Sequence, residues 1–252
     1  MKKLLIVAAI LLAITACVYC TVHRCGYIDH PSPNWNDRAA TVDTIVLHYT
    51  AGGFESSLAT LTSTNGSHRV SSHYLVDRDG AIYHLVDEKK RAWHAGAGTW
   101  HGNDDLNSRS VGIEIVNLGH RPDGSLEPYP EPQIDAVIKL CRDIMSRREI
   151  RYVVGHSDIG LGRKIDPGEI FPWKRLADNG IGVWTDDFED SNLSVGKMLS
   201  AIGYDTADTN LAFKAFTRHF YPEALLAGGT NVVQRLAAVY RLITEAESRK
   251  AK

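Results

Sequence analysis

Three residues of this chain have the types and spacing to share a metal ion: His48, His156 and Asp166. His48 and His156 each follow or close an apolar, β-branched run, Val42–Tyr49 and Arg151–Val154, that reads as a buried strand. An imidazole there is costly without a partner, and the ends of neighbouring strands converge. A lone strand-end histidine can also be a satisfied core residue. What sets this pair apart is the stretch from Gly155 to Gly168, in which Asp166 lies in a glycine-rich excursion after His156 and Pro167 disfavours helix at the aspartate. Such a loop can return the carboxylate to the same ion. Two neutral imidazoles and one carboxylate form a donor set typical of catalytic Zn²⁺, with a fourth position left for water. A structural zinc is normally closed by four protein ligands, mostly cysteine, and the 4 cysteines here are too few and badly placed. His23, His30, His120 and His219 read as structural or solvent-facing, and His73 as packing beside the site.

The elements that must position these groups follow from patterning. Val111–Val116 alternates, with Val111, Ile113 and Ile115 on one side of a strand and Gly112, Glu114 and Val116 on the other. That second face carries a carboxylate, and the glycine beside it marks a groove a ligand can approach; a solvent-facing strand acid is the plainer alternative. His73–Val76 and Ala81–Val86 flank Asp77-Arg78-Asp79-Gly80 and should pair antiparallel. Ser56–Thr64 is a short helix candidate. Ile134, Val137, Ile138, Cys141, Ile144 and Met145 recur at helical spacing behind Glu131 and Pro132. After Phe171-Pro172-Trp173 the acidic stretch Asp186–Asp190 reads as a linker. Helices over 194–202, 208–220 and 230–246 then make a three-helix module. The expected fold is α/β, a mixed central sheet flanked by helices, with a small C-terminal three-helix domain.

The N-terminus has its own pattern. Lys2 and Lys3 precede the apolar run Leu4–Ala13, too short for a transmembrane helix and suited to a signal peptide. Ile14-Thr15-Ala16-Cys17 looks like a bacterial lipobox, in which Cys17 becomes the lipidated N-terminus; a plain secretory signal with a chance cysteine is the alternative. The expected division is a signal peptide over 1–16, a lipidated tether over 17–38, a catalytic domain over 39–178, a linker over 179–190 and the helical module over 191–252. Val18, where an aspartate would favour inner-membrane retention, points to lipid anchoring on the periplasmic face of the outer membrane. Cys20 and Cys25 sit close together as a disulfide or as two free thiols. With 28 Lys plus Arg against 30 Asp plus Glu, and no basic run interleaved with aromatics, nucleic acid is excluded as a partner. The composition, 44% hydrophobic and 23% charged over 252 residues, is that of an ordinary globular protein.

Five segments taken together resemble the type 2 N-acetylmuramoyl-L-alanine amidases. They are Thr44–Thr50, Val70–Val76, Ala92-Trp93-His94-Ala95-Gly96, Trp100–Glu114 ending Val-Gly-Ile-Glu, and the His156–Asp166 loop with Pro167-Gly168. Within that family the lipobox and C-terminal module resemble its lipoprotein branch. The resemblance implies zinc on His48, His156 and Asp166, with Glu114 as general base and Lys164 as the cation beside the site. It also implies hydrolysis of the bond between N-acetylmuramic acid and L-alanine in peptidoglycan or muropeptides. Lys164 reads equally as a solvated loop charge. Trp93, His94, Trp100 and Asn107 are expected to line the cleft and bind sugar or peptide, packing within the loop being the alternative. The terminal helices are similar to small peptidoglycan-binding domains, although the signal is degenerate. A non-catalytic receptor on the same fold commonly lacks a ligand or the base, and here all are present. No His-Glu-x-x-His helix points to a peptidase.

Overall fold

The computed structural model describes residues 26–67 and 69–250, so Cys17, Cys20 and Cys25, with the signal-peptide and lipobox expectations, lie outside the described residues. Six strands form the central sheet: β1 (Ile28–Asp29), β3 (Thr44–Tyr49), β4 (Tyr74–Val76), β5 (Ile82–His84), β7 (Ser110–Ile115) and β8 (Tyr152–Gly155). Their order is β1-β5-β4-β7-β3-β8. The hairpin expected across Asp77–Gly80 is the antiparallel pair β4/β5. β4, β7, β3 and β8 run parallel, which is why β3 reads as a continuous apolar run: both faces of the sheet are covered.

Alternation along the strands divides the core. Ile45 and Leu47 of β3, with Val111, Ile113 and Ile115 of β7, pack against the stripe Ile134, Val137, Ile138, Cys141 and Ile144 of the helix Glu131–Arg147. Val46 and Val154 point the other way. They join a second continuous cluster with Met198, Leu199, Phe216, Leu236 and Val239, contributed by the helices Val195–Ile202, Thr209–Phe220 and Val232–Lys250.

The stretch 179–190, expected as a linker, is itself packed, and the terminal helices share that second cluster with the sheet. Ile181 is buried in the first cluster, Trp184 packs against both, and Glu189 N–H donates to Gln234 O at 3.0 Å. A sheet face carrying Val46 and Val154 needs an apolar cover, and the C-terminal helices supply it.

The tether also ends earlier than expected. β1 pairs in parallel with β5, and β2 (Trp35–Asp37) pairs antiparallel with β6 (Lys90–Ala92), so residues 28–37 belong to the folded domain. Tyr27 meets Tyr74 edge-on at 5.6 Å, and the buried Ser32 hydroxyl donates to Leu61 O at 2.6 Å. Pro31 and Pro33 sit between two short edge strands, where a missing N–H costs nothing. Cys141 is buried on the helix, as its spacing predicted. Among the described residues no helix is long and apolar enough to cross a membrane.

Candidate active site and metal centre

Strand register assembles the site. In the parallel pair β3/β7, His48 stands opposite Glu114; in β3/β8, Leu47 stands opposite Gly155, so His156 emerges next to His48. Three neighbouring strands thus deliver their groups at their carboxyl ends, where open α/β sheets place ligands.

Asp166 arrives by the loop. His156–Ile159 forms one helical turn, and Ser157 N–H donates to Asp166 O at 2.9 Å, closing the excursion on its own start. Gly155 permits this: a Cβ there would stand 2.8 Å from Pro167 Cδ. Asp158, inside the turn, accepts from Gly155 N–H at 2.7 Å, from His219 Nδ1–H at 2.7 Å and from the Tyr204 hydroxyl at 2.8 Å.

Three donor atoms converge. His48 Nδ1 lies 2.9 Å from His156 Nδ1 and 3.1 Å from Asp166 Oδ2, and His156 Nδ1 lies 3.0 Å from Asp166 Oδ2. All three residues are buried, and their donors form the only such metal-competent group found among the described residues. Burial, reinforced by the neighbouring His156, lowers the pKa of His48 to about 4, so the His48 imidazole keeps a lone pair available to a cation. Burial would raise Asp166, but its close contacts with the His156 and His48 rings outweigh it and hold its pKa below the usual carboxylate range. Two nitrogen donors and one oxygen, with outer ring nitrogens occupied elsewhere, fit a divalent transition metal.

Above this triangle opens a cleft of about 370 Å³, lined by Tyr49, Trp93, Glu114 and Lys164 and by the hydroxyl residues Thr50, Ser56, Ser57 and Thr60. Glu114 Oε2 is buried and has no hydrogen-bond partner among the described residues. Burial raises its pKa well above the ordinary value, the Asp166 charge adds to this, and Lys164 opposes it. A carboxyl group shifted in that direction holds a proton more readily than an ordinary glutamate.

The remaining expected cleft residues divide. Trp93 lines the cleft, its indole N–H donating to Asn36 Oδ1 at 2.6 Å and its ring carrying Arg69 at 5.3 Å. Trp100 does not reach the cleft: it is 6% exposed and packs edge-on against Tyr204 at 5.0 Å beneath the C-terminal helices. Asn107 is likewise buried and turned to the backbone, accepting from His94 N–H at 2.9 Å and Ala95 N–H at 2.8 Å. His94 borders the cleft, with both ring nitrogens engaged by His48 and Ser110. Of the unpredicted wall, Ser56 and Thr60 are four residues apart on the helix Phe54–Thr62. That repeat of hydroxyls was the available signal.

The sequence profile of the N-acetylmuramoyl-L-alanine amidases matches residues 38–169, which hold His48, Glu114, His156, Lys164 and Asp166. The chain belongs to that family. The amidase is similar to N-acetylmuramoyl-L-alanine amidase AmiD of Escherichia coli K12, at 36% identity over 249 residues, covering 86% of this chain and 89% of AmiD. The structure of E. coli AmiD in complex with the substrate anhydro-N-acetylmuramic acid-L-Ala-D-γ-Glu-L-Lys covers 84% of this chain and 92% of that one, with a TM-score of 0.69 and 34% identity. AMPDH3 of Pseudomonas aeruginosa, solved in complex with anhydromuramic pentapeptide, gives a TM-score of 0.69 at 36% identity over 82% of this chain and 92% of that one. At 84% and 82% of this chain, both alignments extend past residue 169.

Proposed function

We propose that this N-acetylmuramoyl-L-alanine amidase is a zinc enzyme in which His48, His156 and Asp166 hold the ion, Glu114 is the general base and Lys164 the oxyanion-stabilising cation. The observation that carries the reading is the meeting of two imidazole nitrogens and one carboxylate oxygen, 2.9–3.1 Å apart, below a cleft whose wall bears an unpartnered carboxylate. When bound, zinc supplies Lewis acidity, activating water near neutral pH and polarising the amide carbonyl.

The chain's own groups do the rest. Glu114 Oε2, unengaged by other side chains, takes the proton of the attacking water and delivers it to the L-alanine nitrogen as the C–N bond breaks. The products are the lactyl carboxylate of N-acetylmuramic acid and the free amine of the peptide. Lys164 borders the same cleft and offsets the charge that develops on the carbonyl oxygen, a contribution of a few kcal/mol in comparable sites. Trp93 offers an aromatic wall to the sugar or peptide, and the hydroxyls of Thr50, Ser56 and Thr60 offer polar contacts to it. Peptidoglycan and its muropeptides, intact or 1,6-anhydro, are the substrates in this reading, supported by the ligands named for the E. coli and P. aeruginosa structures. Incubating zinc-loaded protein with purified muropeptides and weighing the products tests it. Release of intact stem peptide is expected, and cleavage at a peptide bond instead would overturn it.

Anchoring through a lipid on Cys17 at the periplasmic face of the outer membrane belongs to the same proposal and rests on the lipobox pattern. Cys17→Ala should move the protein from the membrane to the soluble fraction; unchanged fractionation would sink the anchor.

A further inference from the structure

We infer that Asn107 and His94 are positioning residues that together orient both metal-binding histidines, and are not contacts to sugar or peptide. The inference rests on the metal reading above. If His48 and His156 present Nδ1 to an ion, each must carry its proton on Nε2, and each such N–H needs an acceptor. His48 Nε2–H donates to His94 Nδ1 at 3.0 Å, and His156 Nε2–H donates to Ala95 O at 2.9 Å. Two consecutive residues therefore hold the outer edges of both ligands.

Those two residues are fixed by a single side chain. Asn107 Oδ1 accepts from His94 N–H and Ala95 N–H, at 2.9 and 2.8 Å, which uses both lone pairs of the amide oxygen. Asn107 itself sits in the one-turn helix Leu106–Arg109, and its carbonyl and that of Ser108 accept from Arg38 Nη1 at 2.9 and 2.8 Å. The His94 ring is oriented from its far side as well. Its Nε2–H donates to Ser110 Oγ at 3.2 Å, and the Ser110 hydroxyl donates to Leu106 O at 2.5 Å. The chain from His48 through His94 and Ser110 to a main-chain carbonyl leaves each ring one tautomer.

Sequence and space agree with this assignment. Gly112 opposes the His94 ring: a Cβ at that position would stand 2.4 Å from His94 Cγ, so the glycine makes room for a second imidazole behind the first. His94 and Asn107 are each 8% exposed, and Asn107 does not line the cleft. His94 has no ring nitrogen left for a ligand.

The test compares matched variants. Asn107→Leu and His94→Leu remove the acceptors at nearly constant volume, while Asn107→Asp and His94→Asn keep an oxygen in place. Zinc affinity is measured by chelator competition, the visible spectrum of the cobalt-substituted protein reports ligand geometry, and KM and kcat are measured on a purified muropeptide. The leucine variants should bind zinc about 10–100-fold more weakly with an altered cobalt spectrum and little change in KM. The oxygen-bearing variants should recover most of that loss. Circular dichroism establishes which variants fold, and either matched pair decides alone if the other is lost. Wild type and His156→Ala are titrated alongside. Absence of zinc binding by wild type overturns the metal reading and this inference with it. Normal wild-type binding, with folded leucine variants that keep full affinity and a wild-type cobalt spectrum but show raised KM, overturns this inference alone.

Discussion

The Tyr204 hydroxyl donates to Asp158 Oδ1 at 2.8 Å, joining a residue of the C-terminal region to the helical turn that begins with His156. Asp158 is fully buried, and its other oxygen is held by Gly155 N–H and His219 Nδ1–H. His219 in turn stacks on Trp173 with ring centroids 3.7 Å apart. The turn that follows His156 is thus braced from behind by Tyr204 and His219, each more than forty positions away. Tyr204→Phe keeps the ring and removes one donor from a buried carboxylate. It should cost about 1–3 kcal/mol of stability in urea unfolding, and a variant as stable as the parent would show the contact to be incidental.

Glu114→Gln keeps the shape of the cleft wall and removes its proton acceptor. The expected outcome is a fall in kcat of about 10²–10⁴ with zinc affinity within a few-fold of wild type. Steady-state kinetics paired with chelator competition checks both halves. Loss of metal along with activity would move Glu114 from the base to the ligand set.

Removing the metal is a separate experiment. Dialysis against a strong chelator should abolish muropeptide cleavage, and stoichiometric zinc should restore it. His156→Ala should need far more zinc for any activity, because only two of the three converging donors remain. Full activity in chelator excludes the metal mechanism.

Glu88 gives a pH prediction remote from the metal. It is 1% exposed and is bound by Arg147 Nη2 at 2.7 Å, Arg148 Nε at 3.1 Å and the Tyr74 hydroxyl at 2.7 Å. Burial alone would raise its pKa, but these donors bring it from the ordinary 4.5 to about 2. A carboxyl group depressed in the folded state contributes stability above its unfolded pKa and loses it as pH falls through the folded value. Wild type should therefore lose about 3 kcal/mol from this group between about pH 4.5 and 2. Glu88→Gln should be less stable at pH 7 and show a shallower decline across that window. Parallel curves for the two proteins would refute the assignment.

Much of the site was readable because strand chemistry and loop chemistry leave local marks. The apolar run before His48, the alternation around Glu114 and the glycines between His156 and Asp166 are each visible in a short window, and register then brings them together. Trp100 and Asn107 were misplaced because composition cannot tell an aromatic or amide facing a cleft from one facing a core or a backbone. Their neighbours decide, and those are Tyr204, more than a hundred positions on, and two main-chain N–H groups. The terminal helices were recognised as helices from their periodicity, yet where their apolar faces dock is set by Val46 and Val154. The short edge strands at 28–29 and 35–37 carry too few residues for a period to show.

The shared cluster of Val46 and Val154 with Leu236 and Val239 also ties the two ends of the folded chain into one cooperative unit. A sheet face covered by the last helix keeps part of its apolar surface in water until nearly the whole polypeptide is available, so the sheet and the terminal helices should unfold in one transition. Residues 191–252 are for that reason not a cassette to be grafted or deleted at will, and a chain ending at the acidic stretch would expose one side of the sheet that carries its own catalytic groups.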